Sequence, residues 1–191
     1  RKTFFLFIIS LLSITMQAQT TMITPPYLQK GDTVAILATA RKHIVKSMQP
    51  TIDLLESWGL NVVIGKSIGL EENQLAGSDE QRAADLQEQL DNPNIKAIWC
   101  ARGGYGTVRV VDLIDFTLFN KSPKWLVGFS DVTVLHNHLN TMGYKSIHGI
   151  MPISLAKASK EAIESLRLSL FGQPLQYAID PHPMNRLGKA T

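Results

Sequence analysis

Lys124-Trp-Leu-Val-Gly-Phe-Ser-Asp-Val-Thr133 joins a strand to a helix through one serine. Trp125 to Phe129 is a short apolar run, long enough for a buried strand and too short for a buried helix. From Asp131 to Met142 the apolar residues Val132, Leu135, Leu139 and Met142 follow helical spacing, and Gly143 is the stop. Ser130 stands at the hinge. On a sharp strand-to-helix turn a serine hydroxyl is pushed out of the sheet, beside free N–H groups at the helix start, which is the mechanical basis of a nucleophile elbow. Gly128-Phe-Ser130-Asp-Val lacks the second glycine of G-x-S-x-G, and a plain N-cap serine gives the same local pattern.

Working outward, the chain alternates strands with helices. Strands are predicted at Asp32–Ala38, Asn61–Ile64, Ile95–Ala101 and near Ser146–His148. Helices are predicted at Ser47–Trp58, after the Ser78-Asp-Glu-Gln81 capping box until Asn92-Pro93, from Gly106 to about Asp115, and at Ser159–Phe171. This alternation predicts an α/β fold, a Rossmann-like parallel sheet with helices on both faces. The domain spans about 26–172. After Gln173-Pro174 the composition changes, and 173–191 reads as a linker and the start of another domain.

At 191 residues, 45% hydrophobic and 18% charged, the chain is globular rather than disordered. Arg1-Lys2 followed by the apolar stretch Phe4 to Met16 and Gln17-Ala-Gln19 reads as a cleavable signal peptide over 1–19, hence export, periplasmic in a Gram-negative cell. Its apolar core is shorter than a spanning helix needs, and no cysteine follows it, so no stable membrane anchor is expected. The net charge is +3, part of it from the leader, and no basic patch points to nucleic acid. Cys100, the single cysteine, allows neither an internal disulfide nor a Cys-based zinc site, and its apolar strand suits packing. His136 and His138 point to different sides of one helix, and His148 and His182 have no ligand-spaced carboxylates, so neither a metal nor a cofactor is expected.

Chemistry in an open parallel sheet gathers beyond the carboxyl ends of the strands. Two consecutive ends carry unusual residues: Arg102-Gly-Gly-Tyr-Gly106 and Gly128-Phe-Ser130-Asp131. Glycines let backbone N–H groups approach a ligand, as an oxyanion hole or a phosphate cradle requires. The third glycine of a dinucleotide fingerprint would fall on Arg109, and a tight turn explains the loop equally well. Arg102 could bind a substrate carboxylate or lie on the surface.

Ala76-Gly-Ser-Asp-Glu-Gln-Arg-Ala-Ala-Asp-Leu86, Lys96-Ala-Ile-Trp-Cys-Ala-Arg-Gly-Gly-Tyr-Gly106, Val127-Gly-Phe-Ser-Asp-Val-Thr133 and His148-Gly149, in this order, resemble the LD-carboxypeptidase family of serine peptidases, which also holds the microcin C self-immunity peptidase. The resemblance runs from about Pro26 to the end. It implies Ser130 as nucleophile and the amides of Gly104 and Asp131 as oxyanion donors; Arg102, Gly103 and Tyr105 of the glycine loop are the expected substrate contacts. It also implies a β-rich C-terminal domain carrying the triad's Glu and His, largely missing here; for the full-length protein a homodimer is one possible assembly. The implied substrate is a peptidoglycan tetrapeptide stem, cut between meso-diaminopimelate or lysine and terminal D-alanine. Alternatives are a related amide hydrolase acting on peptide-nucleotide conjugates and a ligand-binding module without covalent chemistry. One departure stands out: the family has a proline after the first strand's alanine, whereas this chain reads Ala38-Thr-Ala-Arg41.

Overall fold

A computed structural model describes residues 21–178 and 182–186, so the predicted signal peptide lies outside the described residues. Five strands, β1 (Thr33–Leu37), β2 (Asn61–Ile64), β3 (Ile95–Cys100), β4 (Trp125–Gly128) and β5 (Ile147–His148), form one parallel sheet in the order β2-β1-β3-β4-β5. The helices are α1 (Gln49–Ser57), α2 (Asp79–Asp91), α3 (Thr117–Lys121), α4 (Thr133–Thr141) and α5 (Lys160–Leu170).

Alternate side chains of each strand face opposite ways, so the sheet feeds two cores. On one face Leu37, Ile98, Cys100 and Leu126 meet Leu86 and Leu90 of α2, Phe119 of α3, and Leu135 and Leu139 of α4. On the other, Ile36, Trp99, Trp125 and Val127 meet Leu55 of α1 and Leu166 and Leu170 of α5. Each fully buried aliphatic or aromatic side chain contributes about 1.5–3 kcal/mol, so both layers anchor the strand ends that matter for function. The predicted α/β sheet with helices on both faces is what forms.

Local signals explain most boundaries. Ser78 accepts the Gln81 N–H while the Gln81 side chain accepts the Ser78 N–H, and this reciprocal cap starts α2. Pro50 sits in the first turn of α1, where its missing N–H costs nothing. The helix expected from Gly106 to Asp115 does not form. The segment makes two 3₁₀ turns, Thr107–Arg109 and Val111–Leu113, and the backbone turns extended at Ile114. Thr107, Val108, Val110 and Val111 are β-branched and poor helix formers, and the cost of nucleation is not recovered over so short a stretch.

Register brings the functional loops level. Leu37 is opposite Cys100, Trp99 opposite Val127, and Gly128 opposite His148. The chain therefore leaves β1, β3 and β4 along one edge. Strand order reverses between β1 and β3, the switch point where such sheets leave a crevice.

Candidate active site

Ser130 follows β4 with its backbone at φ 61, in the left-handed region; among the described residues only Asn73 shares this without being glycine. An L-residue there costs about 1–2 kcal/mol, a strain that gathers at functional sites. The sharp turn follows from Gly128, where a Cβ would fall 2.8 Å from Val132 Cγ1: only glycine lets the first turn fold back so closely on the strand. Ser130 is exposed, and its hydroxyl has no hydrogen-bond partner among the described residues. Phe129 occupies the cap position of the following 3₁₀ turn, and no side chain caps it. The local pattern that suited an N-cap serine is thus occupied by a strained, uncommitted hydroxyl.

The Arg102–Gly106 loop lies against this turn. A Cβ at Gly103 would stand 3.4 Å from both Asp131 N and Phe129 O, so the two backbones nearly touch. Gly104 takes φ 118 and Gly106 φ 147, with the Arg41 side chain packed on the former and the Ala40 backbone beside the latter. The amides of Gly103, Gly104 and Asp131 find no acceptor among the described residues. Unpaired N–H groups converging beside a hydroxyl can hold an anionic oxygen.

A buried framework holds these loops. Arg82 of α2 is fully buried; its Nη1 donates to Thr39 O at 2.6 Å and Gly106 O at 3.0 Å, and its Nη2 pairs with Asp79. Thr39 and Thr107 hydroxyls meet at 2.8 Å, and Asp131 Oδ2 accepts the Thr107 N–H at 2.9 Å. Thr39, Arg82 and Thr107 carried no functional signal as single residues; the framework exists only once β1, α2 and the glycine loop are brought together. The turn at Thr39-Ala40-Arg41, where the family's proline is absent, is held by these contacts instead.

The remaining predicted residues fall as follows. Arg102 is half-buried, with Nη1 3.4 Å from Lys42 O. Tyr105 is 52% exposed at the loop tip. Cys100 is buried, and burial pushes its thiol up to about 12, so it stays protonated. His136 is buried with Nε2 2.9 Å from Gly128 O and Nδ1 2.7 Å from Ser146 Oγ. The carbonyl can only accept, so Nε2 carries the proton and Nδ1 accepts from the serine; burial, first, holds this imidazole below its usual pKa. His138 stacks on Phe116, and His148 sits edge-on to Phe129 with ring centroids 6.2 Å apart. Among the described residues no group of three His, Cys, Asp or Glu is placed to hold a metal.

Comparison with known proteins fits this geometry. The model for the LD-carboxypeptidase N-terminal domain matches residues 34–149. A probable murein peptide carboxypeptidase of Bacillus subtilis is 43% identical over 129 residues, covering 66% of this chain and 40% of that protein. The murein tetrapeptide carboxypeptidase of Pseudomonas aeruginosa is 34% identical over 141 residues, covering 70% of this chain and 46% of the other. Among solved structures, the muramoyltetrapeptide carboxypeptidase of Oxalobacter formigenes aligns at TM-score 0.63 and 28% identity over 72% of this chain and 47% of its own. The microcin C7 self-immunity protein aligns at TM-score 0.73 but 21% identity, over 83% and 50%, a likeness of fold. The chain spans about half the length, or less, of the curated relatives it matches.

Proposed function

The chain belongs to the LD-carboxypeptidase family, and we propose that the protein containing it is a serine carboxypeptidase that releases terminal D-alanine from peptidoglycan tetrapeptide stems. The observation that carries this reading is Ser130 itself: an exposed, uncommitted hydroxyl on a left-handed residue, with the glycine loop against the amide that follows it. Relatives named as murein carboxypeptidases at 34–43% identity support the substrate class, ahead of the peptide-nucleotide alternative.

In this account Ser130 Oγ attacks the carbonyl carbon of the bond before D-alanine, and a base takes the hydroxyl proton. The amides of Gly104 and Asp131 hold the oxyanion, and Gly103 keeps the path to them open. The proton passes to the leaving amine as the C–N bond breaks, and water then hydrolyses the acyl-enzyme ester. Arg102 meets the terminal carboxylate as a forked, permanently charged donor, and Tyr105 borders the same opening. The base is a His–Glu pair outside the described residues. His136 supports this placement, since both its nitrogens are already engaged. A charged-then-apolar start supports export to the periplasm, and the full-length protein is proposed as a homodimer.

A serine-directed covalent probe applied to the full-length protein tests the reaction class. Labelling located at Ser130 by peptide mapping is expected. An unlabelled, folded protein would favour a binding module without covalent chemistry.

A further inference from the structure

Arg41 closes the turn after β1, in the stretch where this chain lacks the family's proline. We propose that Arg41 is a second cation for the substrate's free terminal carboxylate, closing on it from the β1 side while Arg102 closes from the glycine loop. The proposal rests on the carboxypeptidase reading and names a residue that sets its demand for a free chain end.

The backbone on both sides of Arg41 is pinned. Ala76 N–H donates to Ala40 O at 3.0 Å, Lys42 N–H donates to Gln74 O at 3.0 Å, and Arg41 itself is bridged to Leu75. From this anchor the side chain runs across Gly104. A Cβ there would fall 2.6 Å from both Arg41 Cγ and Cδ and 2.9 Å from Nε, so glycine is what lets the aliphatic arm lie in place. Arg102 crosses the other way, with Nη1 3.4 Å from Lys42 O. Each arginine thus reaches onto the loop that carries the other. A cation held this way loses little entropy on binding.

The tip of Arg41 is uncommitted. Its Nε is buried without a partner, whereas its Nη atoms make no hydrogen bond among the described residues and are open to solvent. Neither Arg41 nor Arg102 joins an ion pair among the described residues. The neighbouring acids are engaged: Glu71 with Lys42, Asp79 with Arg82 and Arg109, and Asp131 with the Thr107 N–H. Two unpaired guanidinium groups at one junction repel each other. A carboxylate between them relieves that repulsion and offers two oxygens to their forked donors.

The reaction brings such a carboxylate to this point. With the oxyanion on the Gly104 amide, the carboxylate of the departing D-alanine lies about one residue length, 3.8 Å, beyond the cut carbonyl. A guanidinium carried across Gly104 is within reach of it. An amidated chain end has no charge and only one oxygen, so the same pair of arginines rejects it.

The test uses the full-length protein and two tetrapeptide stems, one ending in D-alanine and one in D-alaninamide. The wild type should favour the free acid by about a hundredfold in kcat/KM. Arg41→Met keeps an aliphatic arm on Gly104 and removes the charge. It should cut that preference by about tenfold or more, chiefly through KM for the free acid, and Arg41→Lys should restore part of it. Calorimetry of the Ser130→Ala protein with the two stems, with and without Arg41→Met, reads carboxylate binding apart from catalysis and should show the same change. A wild type indifferent to amidation, or an Arg41→Met protein that keeps the wild-type ratio, would overturn the assignment, since a purely supporting arm lowers both substrates in proportion. If Ser130→Ala still turned over the stem, the carboxypeptidase mechanism would fall, while the calorimetric preference, lost or kept in Arg41→Met, would judge Arg41 by itself.

Discussion

Asp131 Oδ2 accepts the Thr107 N–H at 2.9 Å, so the residue following Ser130 caps the turn that ends the glycine loop. One carboxylate thus fixes the spacing between the proposed nucleophile and both proposed oxyanion donors. Its neighbours extend the tie: Thr107 reaches Thr39 through their hydroxyls, and Arg82 grips Thr39 O and Gly106 O from below.

Asp131→Ala should therefore cost about 1 kcal/mol of stability as a lost cap and lower kcat by on the order of tenfold to a hundredfold. Asp131→Asn keeps an acceptor for the Thr107 N–H and should retain most of both. Denaturant midpoints and D-alanine release from the full-length protein measure the two effects. Equal kcat losses in both variants would mean that the negative charge, not the tie, is what counts.

Gly103→Ala separates fold from catalysis. Gly103 does not have a positive φ, and its added methyl would lie at ordinary contact distance, 3.4 Å, from Asp131 N. The melting temperature should hardly move, yet the methyl would stand over the amide proposed to meet the oxyanion. A kcat loss of about tenfold to a thousandfold is expected. Unchanged turnover would remove the Asp131 amide from the oxyanion hole.

Much of this was legible in the chain, and the failures have physical causes. Asn61–Ile64 and the α2 capping box are local signals, and the structure reproduces them. Ser130 was legible because an apolar strand, a glycine and a helical rhythm meet at one residue. The helix expected after Gly106 gives way to 3₁₀ turns, because Thr107, Val108, Val110 and Val111 are β-branched and oppose a helix over so short a stretch. Thr117–Lys121 was missed as too short to carry a period. Arg41 gave no signal of its own, because its crossing of Gly104 arises only when the turn after β1 and the glycine loop come together.

Lys124 offers a test away from the site. Its Nζ donates to Gln89 O at 3.1 Å and Asn92 O at 2.7 Å, closing the carboxyl end of α2. Burial pulls its ammonium from the ordinary 10.5 down to about 8. The folded value lies below the unfolded one, so between about 8 and 10.5 the unfolded chain binds more protons, and stability rises with pH across that window. Lys124→Met should abolish that part of the rise. Unfolding free energies taken below and above the window, in both proteins, decide it; parallel curves would contradict the assignment.

The central claim is that Ser130 is the nucleophile, and the direct measurement is D-alanine release from a tetrapeptide stem by the full-length protein and its Ser130→Ala variant. The account predicts that the variant folds with nearly the wild-type melting temperature and loses about four orders of magnitude or more in kcat. Release by Ser130→Ala within about tenfold of wild type would contradict it, because loss of a nucleophile costs far more than that.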